Sequence, residues 1–253
     1  VEKIRGKRGT EVLLSIVHEN EKTPIDLKII RDTIVIKSVK GWVKQVSCTA
    51  LSCEEGNGVS VGYIRLSQFG DKTNDEWLEL VNKLSVDISK AKTFKGIVLD
   101  LRNNPGGYLN DAVFITSEFL KSGVVVLQED GNGTRSSLSV SRKGVFTDYP
   151  VVVIVNKGSA SASEIVSGAL RDYSRAKLVG DKSFGKGTIQ TAVDVDSGAS
   201  VHISIAKWLT PKGTWVHGKG LEPDIAVSYD ATKSADTKKF DNQLQRAILE
   251  LVK

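Results

Sequence analysis

The sequence predicts a mixed α/β domain, and two observations carry that prediction. The runs Gly96–Leu101, apolar but for Asp100, and Val151–Val155 are short, as strands buried on both faces are. Helical periodicity follows each of them, through Leu109, Ala112, Val113, Thr116 and Leu120, and through Ile165, Val166, Ala169 and Leu170. Strand–helix–strand alternation of this kind belongs to a sheet that is at least partly parallel.

Taken in order, Glu11–Val17 and Asp26–Ile30 alternate loosely and read as strands around the polar turn His18–Thr23. Residues 40–58 are Gly-rich, contain Cys48 and Cys53, lack a clear period and are expected to form a loop. Val59–Leu66 reads as a strand. A helix follows, in which Thr73 and Glu76 have capping-box spacing and Trp77, Leu80, Val81, Leu84 and Ile88 share one apolar face. After the Gly96–Leu101 strand comes the turn Asn103-Asn-Pro-Gly-Gly107 and the second helix. Val124–Leu127 and Ser137–Val140 read as strands, and the helix after Val151–Val155 is expected to reach about Arg175. Ile189–Val195 and Val201–Trp208 are strand-like, and the tail Asp236–Lys253 is helical through Leu244, Ala247, Ile248 and Leu251.

Composition narrows the function. With 40% hydrophobic and 26% charged residues among 253, the chain is that of a globular protein with one large domain, or one with a small appendage. The 35 basic and 30 acidic residues are scattered and aromatics make up only 6%, which argues against a nucleic-acid face. No apolar stretch approaches the ~20 residues of a bilayer span. The chain contains no methionine and opens at Val1-Glu-Lys-Ile4, which we read as a processed or trimmed chain. Two cysteines without a further soft ligand nearby do not make a zinc site. A short disulfide in an oxidising compartment and two separate thiols both fit them.

The chemistry centres on Gly158-Ser-Ala-Ser-Ala-Ser-Glu164 and on Ser183-Phe-Gly-Lys-Gly-Thr188. Ser161-Ala-Ser-Glu164 has the form of a capping box, and a serine there ordinarily only caps its helix. The same geometry serves a nucleophile. The first amides of a helix are unpaired and carry partial positive charge, so Ala162 N–H can receive a developing oxyanion. A second donor is available at Gly107, at the end of a tight turn that is otherwise a plain strand-to-helix connection. Lys186 must then be the base. A free lysine is almost wholly protonated at neutral pH; to accept a proton it needs burial and freedom from acids. Phe184, Gly185, Gly187 and Ile189 bring no acid, and Gln190 can orient the amine through its amide oxygen.

Two other readings compete. Gly180-Asp-Lys-Ser-Phe-Gly-Lys-Gly187 nearly matches a phosphate loop. It lacks the final hydroxyl, and the alternation after it is that of a strand where such a loop must open a helix. A serine–histidine–acid triad would need His18, His202 or His217, which fall in a turn, on the polar side of a strand and in a Gly-rich loop.

The serine motif, Asp100-Leu-Arg-Asn-Asn-Pro-Gly-Gly107 and Phe184-Gly-Lys-Gly-Thr-Ile-Gln190 together resemble the carboxyl-terminal processing, or tail-specific, proteases, which are S41-type serine endopeptidases. Trp208–Gly213 and Gly218–Asp224 extend the resemblance over roughly residues 59–227, and Asp241–Ala247 also has a family look. Arg5–Gly9 through Ile30–Asp32 resembles the closing part of the PDZ domain that precedes the catalytic core. The resemblance implies a crotonase-like α/β core with a partial PDZ segment at the N-terminus: residues 1–32 the PDZ part, 33–230 the Ser/Lys protease core and 231–253 a helical extension packing on it. It implies Ser161 as nucleophile, Lys186 as general base, Gln190 as the residue that positions the lysine, and the Gly107 and Ala162 amides as oxyanion hole. Neither metal nor organic cofactor is required, and ATP is not consumed. The implied substrates are proteins or peptides with apolar C-termini, membrane-associated ones among them, met outside the cytoplasm in a periplasm, cell envelope, spore intermembrane space or thylakoid lumen. A homo-oligomer is compatible with the family. A non-catalytic relative that binds a small apolar ligand or a peptide tail is the alternative reading, and acyl-CoA chemistry on such a core is a more distant one. The sequence begins inside the PDZ resemblance, and its Cys48–Cys53 stretch is longer than the family's usual link.

Overall fold

In the computed structural model, residues 3–19, 21–34, 37–195, 199–234 and 240–253 are described. The chain forms two compact units, Val1–Lys37 and Ser38–Lys253. The first is an antiparallel hairpin of β1 (Glu11–Ile16) and β2 (Ile25–Ile30), with Glu11 opposite Ile30. The Arg31 guanidinium closes it by donating to Ile4 O and Glu11 O at 2.8 Å.

The second unit contains β3 (Val39–Cys48), β4 (Cys53–Glu55), β5 (Val59–Leu66), α1 (Thr73–Ser89), β6 (Phe94–Asp100), α2 (Leu109–Thr116), β7 (Val124–Asp130) and β8 (Arg135–Ser139). These are followed by β9 (Val151–Val155), α3 (Ala162–Asp172), β10 (Ala176–Gly180), β11 (Thr188–Val195), β12 (Ala199–Leu209), β13 (Ile225–Ala226) and α4 (Asn242–Val252). Seven strands form one sheet in the order β13-β10-β9-β6-β5-β3-β4, parallel from β13 to β5 and antiparallel at the β3–β4 edge. A second, antiparallel sheet has the order β11-β12-β7-β8.

The main sheet is covered on both faces, which explains the unbroken apolar run of its central strand β9. Val151, Val153 and Val155 of β9 join Trp77, Leu84, Ile115, Phe119, Ile165 and Leu170 in one core. Val152 and Ile154 face the other way and pack with Val98 and Val179 against Leu244, Ala247, Ile248 and Leu251 of α4. Successive residues of a strand point to opposite faces, so a single five-residue run feeds two cores.

Four expectations are corrected. Residues 40–58 contain β3 and β4, and β3 pairs along its length with β5, from Val39–Leu66 to Val46–Val59. Its anchor is Trp42, stacked between Tyr63 and Phe240, partners that a local pattern cannot display. Thr73 and Glu76 do not cap α1: Lys72 is the N-cap, Glu76 accepts the Ser38 N–H and hydroxyl at 2.6 and 2.7 Å, and Thr73 Oγ1 accepts Gly70 N–H at 2.9 Å. The serine helix stops at Asp172, where Tyr173 caps it and Ser174 turns to φ +54°. The segment after it is β10, a parallel strand between β9 and β13 that the sequence reading lacked. The tail helix begins at Asn242, and residues 236–239 of the expected helix lie outside the described residues. Cys48 and Cys53, opposite each other across β3 and β4, are joined as a disulfide.

A buried ionic network ties the sheet to α4. Asp100, fully buried at the end of β6, accepts from Arg102 Nη2 at 2.7 Å, Tyr63 Oη at 2.8 Å and Arg65 Nη1 at 3.1 Å. Arg102 reaches on to Asp241 at 2.9 and 3.0 Å, and Asp241 caps α4 by accepting the Gln243 and Leu244 amides. Burial pushes the Asp100 carboxyl up, but the Arg102 and Arg65 guanidiniums more than offset it and hold it below the usual range. The same burial, reinforced by the Asp100 charge, pushes the Tyr63 hydroxyl up. Arg102→Met leaves the Asp241 cap without its cation and the buried Asp100 with Arg65 alone. We expect a loss of about 3–5 kcal/mol in urea unfolding; a loss below about 1 kcal/mol would show that the network contributes little.

Candidate active site

Ser161 stands where β9 gives way to α3. Its backbone has φ +55° and ψ −115°, a left-handed conformation that costs a non-glycine residue about 1–3 kcal/mol. Three serines alternate along this turn, and two are committed to structure. Ser159 Oγ donates to Leu101 O at 2.8 Å, and Ser163 Oγ donates to Asn104 O at 2.8 Å. Among the described residues, half-buried Ser161 donates its hydroxyl proton to no protein acceptor.

The strained turn is held by Glu164, whose side chain is fully buried. Its Oε2 accepts the Ser161 N–H at 2.9 Å, the reciprocal half of the capping box, and also the Lys186 N–H at 2.9 Å. Its Oε1 accepts from Ser183 Oγ at 2.6 Å and Gly185 N–H at 2.7 Å. One carboxylate oxygen therefore holds the backbone nitrogens of Ser161 and Lys186 within about 6 Å of each other. A further bond, Phe184 N–H to Ser159 O at 2.9 Å, joins the two segments again. The local sequence around Lys186 contains no acid; the fold supplies one, and its four accepted bonds are spent on the loop and the serine turn. Lys186 is half-buried and, among the described residues, makes no ion pair. Two indoles brace its loop from the far side, Trp208 Nε1 donating to Lys186 O and Trp215 Nε1 to Gly187 O, both at 2.9 Å.

The Asn103–Gly107 turn packs against the serine. A side chain at Gly106 (φ +96°) would place its Cβ 2.7 Å from Ser161 Cβ, and one at Gly107 (φ +142°) would place it 1.8 Å from Phe69 O. Only glycine permits both the conformation and the approach. Gly107 N–H and Ala162 N–H donate to no protein acceptor among the described residues. Gln190 is exposed on β11 at a bulge, opposite Ser204, and its side chain makes no hydrogen bond among the described residues.

The competing motifs fare differently. Thr188–Val195 after the near phosphate loop is a strand, so there is no helix to receive a phosphate. His202 is exposed on β12 opposite Ala192, and His18 belongs to the first unit. His217 stacks on Trp215 with its Nδ1 3.4 Å from Gly187 N. The sequence reading missed the work of Glu164 beyond its own turn, and that of Trp208 and Trp215. A buried acid beside two glycine-rich segments was the available signal for the first.

Behind the Gly107 turn, Asp111 of α2 accepts from Asn74 Nδ2 of α1 at 2.9 Å, while Asp111 Oδ2 and Asn74 Oδ1 are buried and unpartnered. Burial raises the Asp111 pKa; the Asn74 bond opposes this and the Asp71 carboxylate adds to it.

A serine on a strand-to-helix turn, a lysine loop bound to the same carboxylate and a glycine turn against the serine thus come together at one edge of an α/β core. Residues 60–227 match the model of peptidase family S41, and the chain belongs to that family. It is 37% identical over 228 residues to the carboxy-terminal processing protease CtpB of Bacillus subtilis, covering 89% of this chain and 44% of that protein. It is 39% identical over 228 residues to a carboxy-terminal-processing protease of Bartonella bacilliformis, covering 90% and 49%. Among solved structures, the photosystem II D1 C-terminal processing protease superimposes with a TM-score of 0.66 at 30% identity, over 88% of this chain and 57% of that one. The expected mixed α/β core of the S41 type is thus the fold observed, and the chain spans about half the length of the curated relatives it matches.

Two tests address this geometry. Glu164→Gln puts a donor where two amides need an acceptor. We expect a loss of about 2 kcal/mol in stability and faster hydrogen exchange at the Gly185 and Lys186 amides; unchanged exchange would show that the carboxylate is not what binds the loop. For Asp111, the folded chain holds a proton more tightly than the unfolded one, so its contribution to stability falls as pH rises through the raised pKa. Asp111→Asn, neutral throughout, should melt higher than wild type near pH 7 and lose that advantage as pH falls toward about 4. Calorimetry showing the opposite pH trend would refute the assignment.

Proposed function

We propose that this chain carries the catalytic part of an ATP-independent serine endopeptidase that processes the C-terminal regions of proteins. The observation that carries the reading is the Glu164 carboxylate, which binds the Ser161 amide and the Lys186 amide through the same oxygen. That contact ties the two chain segments a Ser/Lys mechanism needs, and neither residue spends its side chain on an ion pair or a donated hydrogen bond among the described residues.

Ser161 Oγ attacks the carbonyl carbon of the scissile peptide while the Lys186 amine takes its proton. Negative charge passes to the carbonyl oxygen, which the Gly107 and Ala162 amides receive. The tetrahedral adduct collapses, Lys186 returns the proton to the departing amine, and an ester to Ser161 remains. Water, deprotonated by the same amine, then hydrolyses the ester. Gln190, projecting from the strand that follows the lysine loop, orients the amine. None of these steps calls for a metal or an organic cofactor.

Residues 1–32 act as the closing part of a PDZ domain that captures an apolar C-terminal tail, 33–230 as the protease core and 231–253 as its helical extension. Substrates are extracytoplasmic proteins, membrane-associated ones among them. The Cys48–Cys53 disulfide supports that setting, because such bonds persist in oxidising compartments. The names of the relatives support processing of C-termini.

The test is cleavage of an unstructured protein with an apolar tail by wild type, Ser161→Ala and Lys186→Ala. Each variant is expected to lose at least about 10⁴-fold in kcat/KM, while both keep the wild-type melting temperature. Equal turnover by all three would end the proposal. Tight uptake of a small apolar ligand by a wild type that cleaves nothing would favour a binding module.

A further inference from the structure

The oxyanion hole of the proposed reaction needs one specific amide of the glycine turn to face the substrate, and the turn offers two. Gly106 and Gly107 both adopt positive φ and are adjacent. What separates them is Asn104. This side chain is fully buried, and both its polar atoms are committed. Its Oδ1 accepts the Gly106 N–H at 2.9 Å, and its Nδ2 donates to Leu66 O at the end of β5, also at 2.9 Å. The Gly106 amide is thereby spent inward, and the next amide, Gly107, is left facing outward without a protein acceptor.

The backbone of Asn104 does the same for the other half of the hole. Its carbonyl accepts the Ala160 N–H at 3.0 Å and the Ser163 hydroxyl at 2.8 Å. Ala160 and Ser163 bracket Ser161 and Ala162. A single buried residue therefore bonds to the end of β5, to the glycine turn and to both sides of the serine. We infer that Asn104 is a positioning residue that sets the separation and direction of the two amides, Gly107 N–H and Ala162 N–H, that share the substrate oxygen. The inference rests on the protease reading above and adds to it a residue that never touches substrate.

Such a residue leaves a kinetic signature. The two amides meet a full negative charge only in the tetrahedral state, so their misalignment falls on kcat and spares ground-state binding. Asn104→Ala removes the acceptor for Gly106 N–H and frees that amide to turn outward. Asn104→Asp keeps the acceptor, and loses the donor to Leu66 O whenever its carboxyl is ionised.

The experiment measures kcat and KM on an internally quenched peptide, together with inhibition by a peptide boronate and by the matching product peptide. The boronate bonds to Ser161 and places an oxygen in the hole, whereas the product peptide does not. For Asn104→Ala we expect kcat to fall about 10- to 100-fold, KM to stay within about twofold, and boronate affinity to fall with kcat while product affinity holds. For Asn104→Asp, kcat relative to wild type at the same pH should recover as pH is lowered, because a protonated carboxyl can again accept from Gly106 and donate to Leu66. Should Asn104→Ala fail to fold, the pH-dependent ratio for Asn104→Asp decides alone. Wild-type kcat in a folded Asn104→Ala, equal loss of boronate and product binding, or a flat ratio for Asn104→Asp would each overturn the role. A wild type as inert as Ser161→Ala would instead overturn the protease reading, and the role of Asn104 with it.

Discussion

A buried carboxylate with four hydrogen-bond donors is the contact on which the site depends. Burying an anion is costly unless it is paired or fully hydrogen-bonded; among the described residues Glu164 has no cation, and its partners are three backbone amides and one hydroxyl. Backbone amides cannot rotate away as a lysine side chain can, so they hold the chain itself where the acid requires it. That rigidity stabilises the left-handed Ser161 and fixes the lysine loop in register with it. An ion pair from Glu164 to the Lys186 side chain would do the reverse, since it would favour the protonated amine. Spending the carboxylate on main-chain donors gives the site an acid without giving the lysine a counter-ion.

The surrounding architecture explains why that contact is stable. The parallel strands β5, β6 and β9 end together, and the segments that follow them carry Phe69, the glycine turn and the serine turn. Ligand sites of open α/β sheets form beyond the carboxyl ends of strands for this reason. The sheet is fixed on its opposite face by α4, whose cap is part of the Asp100–Arg102–Asp241 network. Helices α1, α2 and α3 on one face, and α4 with its buried ionic clamp on the other, leave the strand ends little freedom. The Cys48–Cys53 bond closes the antiparallel β3–β4 edge of the sheet.

Legibility in the sequence followed the range of the interaction. The parallel strands β6 and β9 could be read because both faces are buried and their residues are mostly apolar. Helices α1 and α4 could be read because their buried residues repeat at 3.6. Ser161, Lys186, Gly107 and Ala162 stood out because their motifs are local. The β3 strand was unreadable because its stability comes from Tyr63 and Phe240, and β10 because five residues between two better-marked segments leave no period. The Thr73–Glu76 pair had the spacing of a cap, yet Ser38, 38 residues away from Glu76, competes successfully for its carboxylate.

By itself the sequence determined the class of fold, the positions of the serine and glycine-flanked lysine motifs, and the glycine turn that packs against the serine, because each is encoded within a few consecutive residues. Tertiary structure alone decided that Glu164 serves both motifs at once, that Asn104 selects which glycine amide faces out, and that Arg102 joins the sheet to the last helix. Each of those is a contact between segments far apart in the chain. A side chain's hydrogen-bond partner is chosen by proximity and burial, and neither exists until the chain has folded.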